Sequence, residues 1–398
     1  MKKLFTLAAA GVLAAVALNA QAQVAVDGVL SATEIGSASA GKYTLVGKYT
    51  NAHGFGDWGL LSVYAANTPT KIYFFVAGTV QNVPAGDKNS FQIYIDRPGV
   101  TGASASPTAL PKPTASAGTT FSNMEAKMDL APDLAIGMKG NGTANQFQID
   151  AVSYTSAIVS VDRVLTTTAG PLVGDGTALS LAATGTVTPF TALASAKIAY
   201  KNSSGANLST NPGYNAMTTD PNYGGAGSYG WEIEVDRAAM GLTANGTVIN
   251  IFVLQNNGDG GYLSSDFIPQ STTPSGNLAN ANAVDFAAAT IGGLQSAPIT
   301  LATVTGTKAA DEASVAMAVF PNPANGVATV AYNVAGRAEQ VNIVLTDLLG
   351  RPVQVLANGL QNAGVQSKTV STANVAAGTY LVRVQVGDKV ATRKVVLL

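Results

Sequence analysis

Hydrophobic and polar positions alternate with a period of two along much of this chain, and a period of 3.6 is nearly absent. Phe91, Ile93 and Ile95 share one side of the run Ser90–Asp96, and Trp231, Ile233 and Val235 share one side of Trp231–Asp236. Successive side chains of a strand point to opposite faces, so each trio should face a common core. By the same rule Glu232 and Glu234 are expected to point outward and stay solvated. Further strands are predicted at Lys71–Ala77, Gln146–Ser153, Ala157–Asp162 and Thr247–Leu254. Turns of helix are expected only at Asp236–Met240, with Asp236 as N-cap, and at Asn282–Ala289.

Towards the C-terminus the apolar runs shorten, as in Val327–Tyr332 and Val341–Thr346. Gly326, Gly350, Gly364, Gly378 and Gly387 punctuate them where turns need positive φ or tight reversal. Phe320-Pro321-Asn322-Pro323 cannot be helical, because each proline fixes φ and removes a donor. The prediction is an all-β chain: a large β-sandwich followed by a small immunoglobulin-like sandwich of about seven strands. Two glycine-, serine- and threonine-rich stretches, Gly102–Thr120 and Gly205–Gly230, interrupt the larger part. Loops of that length in a compact domain are functional or mobile.

The N-terminus has a different character. Lys2-Lys3, an apolar run from Leu4 to Leu18 and Ala20-Gln21-Ala22 have the form of a secretory signal peptide over residues 1–22. The run is too short to serve as a spanning helix. Cleavage after Ala22 would make Gln23 the first mature residue. Residues 23–302 then form the main domain, 303–314 an exposed linker without apolar alternation, and 315–398 the C-terminal domain.

Charge and chemistry narrow the functions available. Charged residues are 11% of the chain, well below the usual quarter, and Gly, Ala, Ser, Thr and Asn are abundant. Residues 315–398 hold seven basic and three acidic side chains, whereas 23–314 hold thirteen basic and twenty acidic ones. An acidic main domain argues against nucleic acid as a partner. There is no cysteine and one histidine, His53, which excludes the usual zinc sites and a thiol nucleophile. A Ser-His-Asp triad would have to use His53, yet no Gly-x-Ser-x-Gly elbow is present. Nothing in the spacing of Met124, Met128, Met138, Met217 and Met240 from His53 suggests heme ligation. The main domain is therefore expected not to be an enzyme and to carry no cofactor.

The C-terminal motifs resemble a known family. Pro321-Asn322-Pro323, then Asp347-Leu-Leu-Gly350-Arg351, then Gly378-Thr-Tyr380-Leu-Val-Arg383, and finally Lys394-Val-Val-Leu-Leu398 follow one another in the order of the type A C-terminal sorting domain. That domain marks proteins exported by the type IX secretion system of Bacteroidetes. The resemblance implies the type IX translocon and a surface sortase as partners. It also implies cutting near the linker, attachment to anionic lipopolysaccharide, and a final place on the outer cell surface or in the medium.

A second resemblance covers residues 24–290. Val26-Asp27-Gly28, Lys71–Val76, Phe91–Asp96, Gly230–Val235 with Met240-Gly241-Leu242, and Asn256–Ser265 are similar to family-nine carbohydrate-binding and DOMON-like modules. That resemblance implies a β-sandwich and admits polysaccharide as a ligand, in a superfamily that also holds heme binders.

Sugar binding needs flat aromatic rings and short polar side chains. Trp58 lies in the glycine-rich Gly54–Gly59, while Tyr214, Tyr223 and Tyr229 share the second long loop with Asn215, Asp220 and Asn222. These four rings are the candidate ligand contacts. Trp58 folded back as a lid on the core is the alternative, and Trp231, in phase with Ile233, belongs to the core. Asn257 and Asp259 offer oxygens for calcium in Asn256–Gly260, but the closing bidentate Glu is missing. A hairpin turn on Asn-Gly and Asp-Gly explains the same residues. Two readings of the main domain remain: a glycan-binding surface module, or a structural or adhesive component of the cell envelope.

Overall fold

The computed structural model describes residues 24–84, 86–115, 117–155, 160–215, 218–273, 276–303, 315–348, 350–371, 375–387 and 389–398. The expected signal peptide and nearly all of the expected linker lie outside these residues. The described chain divides into two compact units, within Ala22–Val304 and within Thr305–Leu398, each with its own core.

Strands β1 (Thr44–Lys48), β2 (Gly59–Asn67), β3 (Lys71–Thr79), β4 (Asn89–Asp96), β5 (Leu134–Gly140), β6 (Gln146–Ser153), β7 (Val161–Leu165) and β8 (Leu172–Val173) lie in the first half of the larger unit. They are followed by β9 (Leu179–Ser180), β10 (Lys197–Tyr200), β11 (Gly230–Asp236), β12 (Val248–Asn257), β13 (Tyr262–Ile268), β14 (Ala279–Asn280) and β15 (Ala297–Thr300). One sheet is ordered β1-β2-β3-β11-β10-β9. The other runs β14-β13-β12-β4-β5-β6-β7, with β15 added on β12 and β8 on β6. Both predicted trios, Phe91/Ile93/Ile95 and Trp231/Ile233/Val235, are buried between the sheets with Phe74, Ile136 and Val253. Of the strand expected at Ala157–Asp162, residues 157–159 lie outside the described chain, and Val161 and Asp162 open β7. Asp236 caps a single turn as expected, its Oδ1 accepting from Ala238 N at 2.8 Å and Ala239 N at 3.0 Å. Over Asn282–Ala289 there is only a short 3-10 turn, Ala281–Ala283.

The outer faces of both sheets are covered too. Leu110, Phe121, Met124, Met128 and Phe286 pack over Tyr94, Phe252 and Phe267 of the larger sheet. Val24, Leu30, Tyr43, Leu208 and Tyr223 pack over Tyr64, Tyr73 and Phe75 of the smaller one. The two long polar stretches are thus part of the covers, and carboxylates tie down the end of the first and the segment before β15. Asp162 accepts from Thr119 Oγ1 at 2.6 Å, Asp150 from Thr120 N at 2.8 Å, and Asp129 from Gln295 N at 2.5 Å. Arg237 is 1% exposed and fastens another loop. Its guanidinium donates to the carbonyls of Thr68, Leu242, Thr243 and Ala244 and to Asn245 Oδ1, at 2.8–3.2 Å.

This cover overturns the expectation that Glu232 and Glu234 are solvated: they are 0% and 5% exposed. Glu232 Oε2 accepts from the backbone N–H of Asp27 and Gly28, both at 2.9 Å, and Oε1 accepts from the Tyr43 hydroxyl at 2.7 Å. Glu34 holds the same N-terminal segment through Ala25 N at 2.7 Å and Ser31 N at 3.0 Å. Glu234 meets Lys71 Nζ at 3.3 Å. Burial outweighs the three donors and pushes the Glu232 carboxyl up to about 8, and burial likewise pushes Asp150 up to about 6. A raised folded value means the fold takes up a proton that the unfolded chain releases. That contribution is complete below about 4, the ordinary carboxylate range, and is lost as pH rises through 6 and then 8. Stability should therefore fall between pH 5 and 8 by up to about 1.4 kcal/mol per unit per proton. Glu232→Gln should flatten the upper part of that slope. Thermal melts at pH 5, 7 and 8.5 check this, and an unchanged slope in the variant would refute the assignment.

The smaller unit contains β16 (Ala318–Phe320), β17 (Val327–Val334), β18 (Glu339–Thr346), β19 (Pro352–Gln361), β20 (Gly364–Ser371), β21 (Gly378–Val386) and β22 (Lys389–Leu397). Sheets ordered β16-β17-β20 and β19-β18-β21-β22 enclose Val330, Tyr332, Ile343, Leu345, Val382 and Val395. Those seven strands, among the described residues, match the small sandwich predicted.

Candidate functional site

Two of the sequence candidates, Trp58 and Tyr223, lie at a loop that precedes β2. Its centre is Asp266 of β13, wholly buried, whose carboxylate accepts from two sheets and a loop at once. Oδ2 lies 2.5 Å from His53 Nδ1 and accepts from Leu60 N at 3.1 Å. Oδ1 accepts from Gly54 N at 3.1 Å and from the hydroxyls of Ser264 and Ser265 at 3.2 Å each. A carboxylate can only accept, so His53 donates from Nδ1 and presents Nε2 to the Tyr223 hydroxyl, 3.3 Å away. The loop glycines are required by this geometry. A Cβ on Gly59 would collide with Asp266 Oδ2 and His53 Nδ1, and one on Gly54 with Asn277 Oδ1.

The aromatic side chains are arranged around this hub. Trp58 is half-buried, and its Nε1 donates to Ala206 O at 2.8 Å. Asp57 beside it accepts from Ser209 N at 2.7 Å and Ser209 Oγ at 2.6 Å. Trp58 is therefore neither freely displayed nor sealed in the core; it is a half-exposed ring bolted to the cover loop. Tyr214 is half-buried with its ring 6.3 Å from Tyr223. Tyr223 is 0% exposed, so its ring offers no free face, which corrects its expected role as a stacking platform. It packs inward because the smaller sheet's outer face is apolar and needs the cover. Tyr229 bridges to Val29, and Lys201 Nζ stands 5.9 Å from its ring centroid. Phe55 and Tyr262 stack at 6.2 Å and 24°, with Tyr262 38% exposed. This pair was not among the sequence candidates, although Phe55 between Gly54 and Gly56 shows the same display signature as Trp58.

The oxygens of Asn257 and Asp259 are engaged by neighbouring donors. Asn257 Oδ1 accepts from Tyr262 N at 3.0 Å, and Asp259 accepts from Gly261 N at 3.0 Å and Asn123 Nδ2 at 2.9 Å. Lys139 Nζ donates to Gly258 O at 3.0 Å beside them. The segment is a hairpin turn whose oxygens stitch its own backbone. A cavity of about 330 Å³ opens at the edge of the larger sheet among Phe147, Gln148, Leu165, Thr167 and Leu172, where the chain after β7 crosses to pair Thr167 with Leu181. Its aromatic ring, Phe147, is buried. The hub and its rim of rings therefore form the better candidate for contact with a ligand.

In the smaller unit the sorting motifs gather on the last strand. Asn322 Nδ2 donates to Lys394 O at 2.8 Å, and Asn322 Oδ1 accepts from Val396 N at 2.9 Å. Ala324 N donates to Val396 O at 2.8 Å, and Leu398 N to Ala324 O at 2.9 Å. Pro321 and Pro323 flank this clamp. Asp347 accepts from Arg351 N at 2.9 Å and Arg351 Nε at 2.6 Å, closing a turn in which Gly350 has φ 82°. Tyr380 donates to Ala376 O at 2.8 Å across Gly378.

Residues 318–398 match the family model described as a secretion system C-terminal sorting domain. The C-terminal domain is a type IX sorting domain. Its presence indicates export by type IX secretion, contact with that machinery, and delivery to the cell surface or the medium. No curated protein matches the chain. Solved structures with distant similarity include dimeric latent PorU from Porphyromonas gingivalis, at 11% identity and TM-score 0.18, covering 90% of this chain and 34% of that one. The BSP domain of a biofilm associated protein is 8% identical at TM-score 0.21, covering 87% of this chain and 50% of that one. The chain thus spans about a third and half of these two proteins.

Proposed function

We propose that the main domain is a non-enzymatic glycan-binding module, carried by its signal peptide and sorting domain to the outside of the cell. The observation that carries this reading is the rim of half-exposed rings made by Phe55 and Trp58, on a glycine-rich loop immobilised by Asp266, and by Tyr262 at the start of β13. Flat rings on a rigid support suit the apolar faces of sugars, and rigidity limits the entropy lost on binding. The hub itself offers no aligned nucleophile, since both serine hydroxyls donate to Asp266 and His53 Nε2 faces a phenol. Phe55→Ala and Tyr262→Ala should each weaken polysaccharide binding by about 1–3 kcal/mol. Their melting should change by less than about 1 kcal/mol. Trp58→Ala should reduce both affinity and stability, because it removes a ring and a hydrogen bond together. Glycan arrays and melts on the three variants check this.

The second reading, a structural or adhesive envelope component, is favoured by one feature of the rim. The neighbouring polar side chains Asp57, Asn277 and Asp266 are all engaged within the protein. Absence of glycan binding by the wild-type protein would select it. In both readings a surface sortase cuts in or near residues 303–314 and attaches the mature domain to anionic lipopolysaccharide. Mass spectrometry of surface material tests this, and intact chains retaining Val395–Leu398 would count against it.

A further inference from the structure

One side of the main-domain sandwich is closed by an arch rather than by a strand. The chain leaves the larger sheet after Leu165 of β7 and rejoins β6 at Leu172, where β8 begins. Between these points it crosses to the other sheet: Thr166 O accepts from Ala182 N at 2.7 Å, and Thr168 N donates to Ser180 O at 2.9 Å. The Thr167 hydroxyl donates to Gly170 O, and Gly170 turns at φ 101°, which fixes the arch from within. Beside β6, which pairs with β7 at Ile149 and with β8 at Phe147, the arch leaves the cavity of about 330 Å³. Phe147, Ile149, Leu165 and Leu172 line it and also belong to the inner core, with Phe147 braced edge-on against Tyr200 at 4.6 Å between ring centroids. Gln148 and Thr167 bring neutral polar groups to the lining, and no lining residue carries a charge.

Water is a poor occupant of this space. At roughly 30 Å³ each, about ten waters would fill it, yet Phe147, Ile149, Leu165 and Leu172 offer them no hydrogen bond. Hydrocarbon that displaces such water gains affinity. A sugar does not suit the cavity, because its apolar face needs an exposed ring and Phe147 is 1% exposed. A charged head group does not suit it either, since it would lie against Phe147 and Leu172 without a counter-ion in the lining. An alkyl chain ending in an uncharged hydroxyl or ester meets both conditions: the chain lies on the apolar walls, and the head bonds to Gln148 or Thr167. We propose that this cavity is a second binding site, separate from the rim of Phe55, Trp58 and Tyr262, and that it takes the alkyl chain of a neutral alcohol or ester. The site does not depend on the glycan reading of the rim.

The test uses the purified full chain and calorimetric titration with 1-butanol, 1-hexanol and 1-octanol. Affinity should rise about fourfold for each added CH2, the step expected of hydrocarbon leaving water. Sodium octanoate should bind at least about tenfold more weakly than 1-octanol, because its carboxylate finds no counter-ion. Cellobiose should not compete with 1-octanol. Leu165→Trp fills the space and should abolish octanol binding. An octanol analogue with a diazirine on its chain gives a readout that does not depend on a variant folding. On irradiation it should label peptides holding residues 147–149 or 164–172, located by mass spectrometry. The proposal would be overturned by absence of octanol binding, by affinity independent of chain length, or by octanoate binding as tightly as octanol. Competition by cellobiose, labelling only outside those two segments, or full binding by a Leu165→Trp variant that melts like the wild type would overturn it equally.

Discussion

Deleting Lys394–Leu398 should leave the protein in the periplasm and remove it from the cell surface. The five residues are not a loose tail. Val395 and Leu397 are 0% and 1% exposed, and burying each such side chain is worth about 1.5–3 kcal/mol. Residues 394–397 pair with Gly378–Leu381 of β21, and the deletion also strips Asn322 and Ala324 of their backbone partners. A domain whose whole stability is of order 5–15 kcal/mol does not survive such losses intact. Export would then fail because the folded sorting surface is gone. Lys394→Ala separates folding from recognition. The Lys394 side chain is exposed and only its carbonyl serves the clamp, so this variant should stay folded. Immunoblots of medium, surface and periplasm, with circular dichroism on the purified proteins, give both answers. Normal surface delivery of the truncated chain would refute the role of this strand.

The second large effect is expected at Asp266. Asp266→Ala leaves His53, two backbone N–H groups and two serine hydroxyls without their shared acceptor, at a cost of about 3–5 kcal/mol. The loop bearing Phe55 and Trp58 would lose its anchor along with the connection between β2 and β13. His53→Ala removes only one of the five donors and should cost less. Chemical denaturation of both variants tests the ranking. Equal stability of Asp266→Ala and wild type would remove the hub from the account of the site.

The alternation of Phe91, Ile93 and Ile95, and of Trp231, Ile233 and Val235, was enough to place the inner core, because that signal is local. The same alternation misplaced Glu232. It assumes that the face opposite the core is wet, whereas Tyr43, Asp27 and Gly28 arrive from far along the chain to cover it. Nothing near Glu232 in sequence announces partners that distant. The sequence shows Trp58 in the glycine-rich Gly54–Gly59 and Tyr214, Tyr223 and Tyr229 in the second long stretch, but which ring turns inward depends on the apolar outer face that the cover must satisfy. Phe55 lies in the loop before β2 and Tyr262 opens β13, and they become a pair only when Asp266 of β13 draws that loop onto the strand. The sorting motifs were legible because turn residues and a terminal strand are read from short segments. Asn322 bonding Val396 is the tertiary reason for that spacing.

The carboxylates that fasten the cover loops have a consequence for where this protein can work. Asp129, Asp150 and Asp162 hold polypeptide that an extracellular protein would commonly hold with disulfides. Such ties form without an oxidant and are indifferent to thiols, so maturation of the fold is uncoupled from redox potential. The same molecule can assemble and persist in an oxygen-free, strongly reducing habitat as readily as in an aerated one.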